Sequence, residues 1–273
     1  MIPSLDGRLV LVGAGKMGGA MLAGWLERGI AGTAIAVVEP QPYPELADLA
    51  AHRGVVLNPD LATIDDAAVV VLAVKPQAMD AALPAVAGLA RSKPVVLSIA
   101  AGRTIASFER AFGAGTAVVR AMPNTPAAIG RGITVACANA AVSEGQRALA
   151  TGLLEAVGEV AWIDDEGLID AVTALSGGGP AYVFLLAECM AAAGVAAGLP
   201  EDLAMRLARA TVSGAGELMH RSSEEAATLR RNVTSPGGTT AEALKILMAK
   251  GALPDLMVEA IAAATRRSKD LAG

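Results

Sequence analysis

The sequence is poor in the side chains that most often carry nucleophilic, metal or redox chemistry. Its 273 residues include two cysteines, Cys137 and Cys189, and two histidines, His52 and His220. The cysteines stand far apart, without CxxC or metal-ligand spacing, which is typical of free thiols in a reducing compartment. Both histidines lie in polar contexts, where a surface position is expected. We therefore expect neither a bound metal nor catalysis by a nucleophilic side chain.

Aromatic residues are also scarce, with two Trp, two Tyr and three Phe in a chain that is 53% hydrophobic. The core must therefore consist mainly of Ala, Val, Leu, Ile and Met. A net charge of −5 disfavours a nucleic-acid-binding protein, because such proteins usually present a basic face. At about 150 residues per domain, the length suits one large domain or two ordinary ones.

A mean hydropathy of +0.50 makes a membrane segment an alternative to consider. Residues 180–199 are long enough to cross a bilayer and carry one charge, Glu188. They are rich in Ala and Gly, and neither a Lys/Arg cluster nor a Trp/Tyr belt flanks them. We therefore expect a helix buried in a domain core or in a subunit interface. Asp6 and Arg8 interrupt the N-terminus before any apolar run, unlike a signal peptide. The chain is predicted to be soluble and cytoplasmic, without a membrane or nucleic-acid partner.

Two regions differ in their hydrophobic pattern. In the first, short apolar strands alternate with helical stretches. The predicted strands are 8–12, 34–38, 55–57, 69–74, 95–99, 116–121, 133–136 and 160–163, and the predicted helices include 17–28, 46–52 and 143–156. Apolar strands separated by helices indicate a parallel sheet covered on both faces. This predicts an α/β Rossmann domain, doubly wound and mostly parallel, over residues 1–164.

The second region, residues 165–273, has no strand pattern and predicts an all-α domain. Its expected helices are 168–175, 181–197, 203–219, 241–250 and 253–270. These helices carry more apolar surface than a domain of about 105 residues can hide. We therefore expect the helical domain to complete its core by binding a second copy of the chain.

The glycine-rich segment after the first strand is the strongest motif. It has the pattern G-x-G-x-x-G between a strand and a helix, formed by Gly13, Ala14, Gly15, Lys16, Met17 and Gly18. In that context the glycines let the backbone approach a dinucleotide pyrophosphate at the helix N-terminus. A glycine-rich turn without a ligand is the alternative.

Glu39 ends the second predicted strand, where an acid accepts hydrogen bonds from the adenosine ribose and repels a 2′-phosphate. This favours NADH over NADPH. The alternative interpretation of Glu39 is a solvated carboxylate without a ligand. Arg53 could also approach a 2′-phosphate through the fold, which would favour NADPH. Loops at 73–76, 98–102 and 121–126 also follow strands, and ligands of such sheets lie beyond these strand ends. Ordinary turns are the alternative for these loops.

Residues 232–240 lead into a predicted helix and contain two glycines. Their backbone N–H groups, together with the helix dipole, are suited to bind a carboxylate. Thr240 could offer its hydroxyl to a polar atom near the cofactor. Thr239 and Glu242 have capping-box spacing, so a purely structural cap is the alternative.

The Gly-rich stretch 176–179 fits a tight turn between helices. No carbonyl-reducing acid such as Tyr-x-x-x-Lys is present, which favours reduction of a C=N bond, because an iminium already carries its proton. Lys75 remains a candidate proton donor.

Taken together, these motifs resemble the pyrroline-5-carboxylate reductase family over nearly the full length of the chain. The resemblance lies in GAGKMG (13–18), AVKPQ (73–77), SIAAG (98–102), MPNTP (122–126), DAVTALSGGGPAYVF (170–184), GLP (198–200) and NVTSPGGTTAEAL (232–244). Such enzymes reduce 1-pyrroline-5-carboxylate to L-proline with NADH or NADPH, the last step of proline biosynthesis. The resemblance implies a homodimer formed by the helical domains, often assembled into a homodecamer.

The resemblance also implies roles for particular residues. The cofactor would be held by residues 13–18 and by Glu39, Ala73, Val74, Lys75, Ala100, Ala101 and Asn124. The substrate would be held by Glu166, Asn232, Ser235, Gly237, Gly238 and Thr239, with Thr240 near the imine nitrogen as the catalytic residue. This chain departs from the family's usual pattern at Gly178, where a serine is usual, at Arg231, where an aspartate is frequent, and after the second strand at 39–42. Because of this last departure, the family's NADPH use is not simply inherited.

Three other functions stay open. A 3-hydroxy acid dehydrogenase shares the two-domain plan, a related enzyme could reduce another cyclic imine, and a regulatory protein could bind the dinucleotide without catalysis. Turnover of hydroxy acids, or cofactor binding without imine reduction, would distinguish them.

Overall fold

The computed structural model describes residues 5–272, and one eight-stranded sheet organises their first part. The strands are β1 (Arg8–Val12), β2 (Ile35–Val38), β3 (Val56–Leu57), β4 (Ala67–Leu72), β5 (Val95–Ser98), β6 (Val118–Met122), β7 (Gly132–Ala138) and β8 (Gly158–Trp162). Their order is β3-β2-β1-β4-β5-β6-β7-β8. All neighbours are parallel except β6 and β7. The predicted doubly wound, mostly parallel fold is confirmed.

Helices connect the strands and then make up the rest of the chain. They are α1 (Lys16–Glu27), α2 (Pro44–Arg53), α3 (Met79–Val86), α4 (Ile105–Phe112), α5 (Glu144–Leu154), α6 (Ile169–Val172), α7 (Gly179–Ala196), α8 (Glu201–Arg221), α9 (Ala226–Asn232), α10 (Thr239–Leu247) and α11 (Leu253–Ala272). A π-helical turn at Thr173–Gly177 joins α6 to α7. The sequence patterns did not predict bounds for the three helices α3, α4 and α9. Helix α3 contains Pro84, which weakens a helical pattern.

Strand β1 explains why the central strands are apolar without alternation. Leu9 and Leu11 are fully buried in one cluster together with Trp25 of α1. Val10 and Val12 point to the opposite face and belong to a second cluster with Phe108 of α4. Successive strand residues face opposite sides, so a sheet with helices on both faces needs apolar residues at every position. The two clusters are the two halves of this core.

The chain divides into two compact units. One contains the residues up to Gly177 and those from Ala264 onwards, and the other contains Gly178–Ala263. The first unit carries the sheet and the second carries α7 to α10 with the first part of α11. The division into domains at 164/165 stays a prediction.

Helix α7 differs from the expectation of a buried helix. Ala191 is its one buried residue, and Phe184 is 64% exposed. By length and composition, the helical stretch Glu166–Ala196 is apolar enough to cross a membrane, and 6% of its most apolar window is buried. The expectation that α7 is buried in a domain core is therefore wrong for the chain on its own. Burial of α7 in a subunit interface stays a prediction.

Candidate active site

The glycine loop lies between β1 and α1, as predicted. Gly13 has φ of 88°, and a Cβ there would lie 2.9 Å from the Ala73 carbonyl carbon. At Gly18, a Cβ would collide with the Gly13 carbonyl oxygen. Both glycines are therefore needed for close packing of the loop against α1 and the turn that follows β4.

Gly15 is different, because a Cβ there would meet no described atom within 4 Å. Its φ of −66° is ordinary for any residue, and it forms the N-cap of α1. No described side chain caps α1, and its first turn has no acidic residue. Open space and free N–H donors at a helix start fit a dinucleotide pyrophosphate. Gly15 and Lys16 are exposed, and Ala14 is buried.

Glu39 follows β2 and reaches the same loop. Its Oε2 accepts a hydrogen bond from the Ala14 N–H at 3.0 Å, and its Oε1 accepts one from the Gln41 N–H at 3.2 Å. The carboxylate therefore lies beside the glycine loop rather than free in solvent. Each oxygen keeps a lone pair with which it can accept a further hydrogen bond, as from a ribose hydroxyl.

An ion pair that the sequence motifs did not indicate joins the first turn of α3, just after the β4 loop, to the loop after β5. Arg103 donates to Asp80 at 2.8 and 2.7 Å, and to the Pro76 carbonyl at 3.2 Å. This hydrogen bond to Arg103 lowers the pKa of Asp80 below its ordinary value of 3.8. The pair ties together the two loops in which the predicted cofactor residues lie, namely Ala73, Val74 and Lys75 in one, and Ala100 and Ala101 in the other.

Asn124, a predicted cofactor residue, has its amide engaged within the fold. Its Nδ2 donates to the Ser176 hydroxyl at 3.2 Å, and its Oδ1 accepts from the Ile133 N–H at 3.0 Å. The side chain therefore connects the turn after β6 to β7 and to the π-helical turn. A role in cofactor binding stays a prediction.

Glu166, a predicted substrate residue, is bound to a buried arginine. Its Oε1 accepts from Arg120 at 2.8 Å and from the Ile105 N–H, at the start of α4, also at 2.8 Å. The Arg120 side chain is 4% exposed, and its Nε has no partner in the described chain. Cys137 lies nearby, where burial first and then the Glu166 charge raise its pKa above 9.0. Glu166 therefore balances the Arg120 charge.

In the second unit, the segment before α10 is an open helix start. Gly237 has φ of 71°, and Gly238 is the N-cap, so the helix begins at Thr239. No described side chain caps α10, and Glu242 instead contacts Lys245 at 2.6 Å. The capping-box alternative is therefore wrong, and the first N–H groups are left for an anion.

Several predicted substrate residues share this segment. Ser235, Gly237, Gly238, Thr239 and Thr240 follow one another, and both threonines are exposed in the first turn of α10. Asn232 ends α9, and its Nδ2 donates to Glu224 at 3.3 and 3.4 Å. Glu224 is a residue that the sequence reasoning missed, since no motif spacing connects it to Asn232. Glu166 belongs to the other unit.

Two partial sites are thus on one chain: a dinucleotide loop in a doubly wound sheet, and an open helix start in a helical unit. They define the class of nicotinamide-dependent oxidoreductases with a Rossmann domain and a helical second part. The chain belongs, within that class, to the pyrroline-5-carboxylate reductase family.

Comparisons with known proteins carry this assignment. The family model for pyrroline-5-carboxylate reductase dimerisation matches residues 166–271, and that for coenzyme F420-dependent NADP oxidoreductases matches residues 8–102. The pyrroline-5-carboxylate reductase of Pseudomonas aeruginosa is 42% identical over 266 residues, covering 97% of each chain. That of Arabidopsis thaliana is 33% identical, covering 99% of this chain and 97% of its own.

Solved structures agree. A pyrroline-5-carboxylate reductase from Coxiella burnetii has a TM-score of 0.90 and 34% identity, covering 99% of this chain and all of its own. The Plasmodium falciparum enzyme, solved with NADP bound, has a TM-score of 0.82 and 27% identity, with the same coverage. The expected family is confirmed, and the 3-hydroxy acid dehydrogenase alternative is not favoured.

Proposed function

We propose that this protein reduces 1-pyrroline-5-carboxylate to L-proline, the final step of proline biosynthesis. The observation that carries the proposal is the 42% identity to a pyrroline-5-carboxylate reductase across 97% of both chains. It spans both units, so the dinucleotide loop and the helix start of α10 fall within one continuous match. Purified protein mixed with the substrate and NADH or NADPH should consume the reduced cofactor. No consumption with either cofactor would overturn the proposal.

The reaction adds a hydride to the C=N carbon and a proton to the ring nitrogen. Bound reduced nicotinamide supplies the hydride. In this proposal, the cofactor would be held by residues 13–18 and by Glu39, Ala73, Val74, Lys75, Ala100, Ala101 and Asn124. Gly15 supports it most directly, because no atom of the described residues lies within 4 Å of the position that its Cβ would take.

The substrate carboxylate is proposed to accept hydrogen bonds from the N–H groups at the start of α10. Gly237 and Gly238 leave the approach to them open, and the helix dipole favours a negative charge there. Asn232, Ser235 and Thr239 line the same segment, and Thr240 lies one residue further into the helix. Glu166 is retained as a proposed substrate contact, in addition to its bond to Arg120.

Thr240 is proposed as the catalytic residue, because its hydroxyl can hydrogen-bond the imine nitrogen and orient the incoming proton. Thr240→Val keeps the shape and removes the hydroxyl. We expect kcat to fall by about tenfold to a hundredfold, with little change in the KM of the cofactor. Thr239→Val is the matched comparison, since Thr239 is the neighbouring first-turn threonine and a proposed substrate residue, so that its loss should raise the KM of the substrate more than it lowers kcat. Unchanged turnover in Thr240→Val would remove Thr240 from the chemistry.

NADH is the proposed preferred cofactor, although a relative has been solved with NADP bound. The carboxylate of Glu39 lies 3.0 Å from the Ala14 N–H, where a 2′-phosphate would bring a second negative charge. Two unit charges about 4 Å apart repel by about 4 kcal/mol near a protein surface. Glu39→Ser should therefore raise kcat/KM for NADPH relative to NADH by about tenfold or more. A wild type that strongly prefers NADPH would refute this assignment.

A homodimer through the helical unit is proposed as the smallest assembly, and a homodecamer as the complete one. The support is the match to the family's dimerisation domain and the exposed apolar side chains of α7 and α8, such as Phe184 and Leu207. We propose a cytoplasmic location, with no membrane or nucleic-acid partner. Light scattering of the purified protein measures the assembly directly, and a monomeric mass would contradict the dimer.

A further inference from the structure

Asn58 has a backbone conformation that is uncommon for residues other than glycine. It follows β3 directly and has φ of 50°, and Lys93 is the other non-glycine residue with positive φ within residues 5–272. Asparagine is among the few side chains that tolerate this left-handed region. The side chain is exposed, so burial of its own surface does not explain the residue type.

Both ends of the Asn58 amide bind the main chain of Glu39. Its Oδ1 accepts from the Glu39 N–H at 2.8 Å, and its Nδ2 donates to the Glu39 carbonyl at 2.9 Å. The Asn58 N–H donates in turn to the Val37 carbonyl at 2.7 Å. The side chain therefore continues the hydrogen-bond ladder between β2 and β3 one residue beyond the strands.

On its other side, the end of β2 is bound to the glycine loop. The Gly13 N–H donates to the Val38 carbonyl at 2.9 Å, and the Glu39 carboxylate accepts from the Ala14 N–H at 3.0 Å. With Asn58 on one side and the loop on the other, Glu39 is held at both its main chain and its carboxylate. A glutamate without the amide bonds keeps more freedom to turn away from the adenosine end of the cofactor.

We propose that Asn58 is a positioning residue for cofactor choice: it fixes the Glu39 main chain, so that the carboxylate stays beside the glycine loop and disfavours the 2′-phosphate of NADPH. This inference rests on the proposed discrimination by Glu39. Asn58 itself needs no contact with the cofactor. Its effect should therefore depend entirely on the presence of the Glu39 carboxylate.

The test compares kcat/KM for NADH and NADPH in a double-mutant cycle. Asn58→Gly accepts the positive φ and deletes the amide, while Asn58→Ser keeps an uncharged polar side chain that is too short to bond both main-chain groups of Glu39. Either should lower the NADH-to-NADPH ratio by about threefold to tenfold, which corresponds to the net contribution of about one of the two hydrogen bonds that the amide makes. In a Glu39→Ser background the same changes should leave the ratio unaltered. Asp60→Ala is the matched control, because it removes a cap of the same loop without touching Glu39.

The outcomes separate the inference from the proposed function. If Glu39→Ser shifts the ratio and neither Asn58 variant does, the positioning role is refuted while the discrimination by Glu39 stands. If Glu39→Ser itself leaves the ratio unchanged, the proposed discrimination fails. A purely structural Asn58 would lower the thermal midpoint and leave the ratio untouched. An equal shift in the Glu39→Ser background would also refute the inference, because Asn58 would then act without Glu39.

Discussion

Replacing Glu166 by alanine should destabilise the sheet-bearing unit, because it leaves a buried arginine without its counter-charge. The Arg120 side chain is 4% exposed, against 29% for Glu166. One carboxylate oxygen, Oε1, accepts from both Arg120 and the Ile105 N–H at 2.8 Å. The variant therefore breaks an ion pair and removes an acceptor at the start of α4.

The magnitude follows from how unequally the two partners are buried. Removing one partner of a buried pair costs about 3–5 kcal/mol. Since Glu166 retains some solvent, we expect the lower end, about 3 kcal/mol. For a unit of this size the thermal midpoint should fall by about 6–12 °C. Arg120→Met should cost less, because Glu166 keeps its exposed edge and its bond to the Ile105 N–H.

Thermal unfolding followed by circular dichroism at one fixed protein concentration measures this effect. The double variant Arg120→Met with Glu166→Ala should lose less stability than the two single variants lose in total, because it leaves no unpaired charge. A midpoint for Glu166→Ala within about 1 °C of wild type would refute the reasoning. The KM for pyrroline-5-carboxylate in Glu166→Gln, which keeps the shape, tests the proposed substrate contact separately.

Two further predictions concern the cofactor loops. Gly15→Ala should leave the thermal midpoint unchanged and weaken NADH binding, measured by fluorescence titration. Gly18→Ala should lower the thermal midpoint, because its Cβ meets the Gly13 carbonyl. Equal midpoints for the two variants would contradict this prediction. Asp80 has a pKa below its ordinary 3.8 through its bond to Arg103, so its stabilising effect is present at neutral pH and is lost as pH falls below 3.8. The stability difference between wild type and Asp80→Asn should therefore shrink in that acid range, and a difference independent of pH would argue against the pair.

The local patterns predicted the central elements well because each is carried by neighbouring residues. The run Arg8–Val12 has the bounds that were predicted for the first strand. The antiparallel pairing of β6 and β7 is different, since strand direction in a sheet leaves no mark on composition. Thr239 was open to interpretation as a cap because its spacing to Glu242 fits a capping box, while the chain in fact enters α10 through Gly238.

The long-range polar contacts could not be predicted for a related reason. Asn58 lies 19 residues from Glu39, Arg103 lies 23 from Asp80, and Arg120 lies 46 from Glu166. No period or motif links residues at such separations, and each pairing depends on which strands become neighbours in the sheet. These contacts place the carboxylate and the loops that the motifs identified. The motifs therefore identified candidate site residues, whereas the fold supplies the side chains that position them.

The three glycines of the dinucleotide motif illustrate how structure refines a pattern that treats them alike. Gly13 and Gly18 are required by the protein itself, since a side chain at either would strike the backbone of the loop or of the turn that follows β4. Gly15 meets no such constraint and has an ordinary φ of −66°. What distinguishes Gly15 is its place at the start of α1, where this open space and the helix N–H groups can accept a pyrophosphate. Of the three, Gly15 is therefore the residue that argues most directly for a bound dinucleotide.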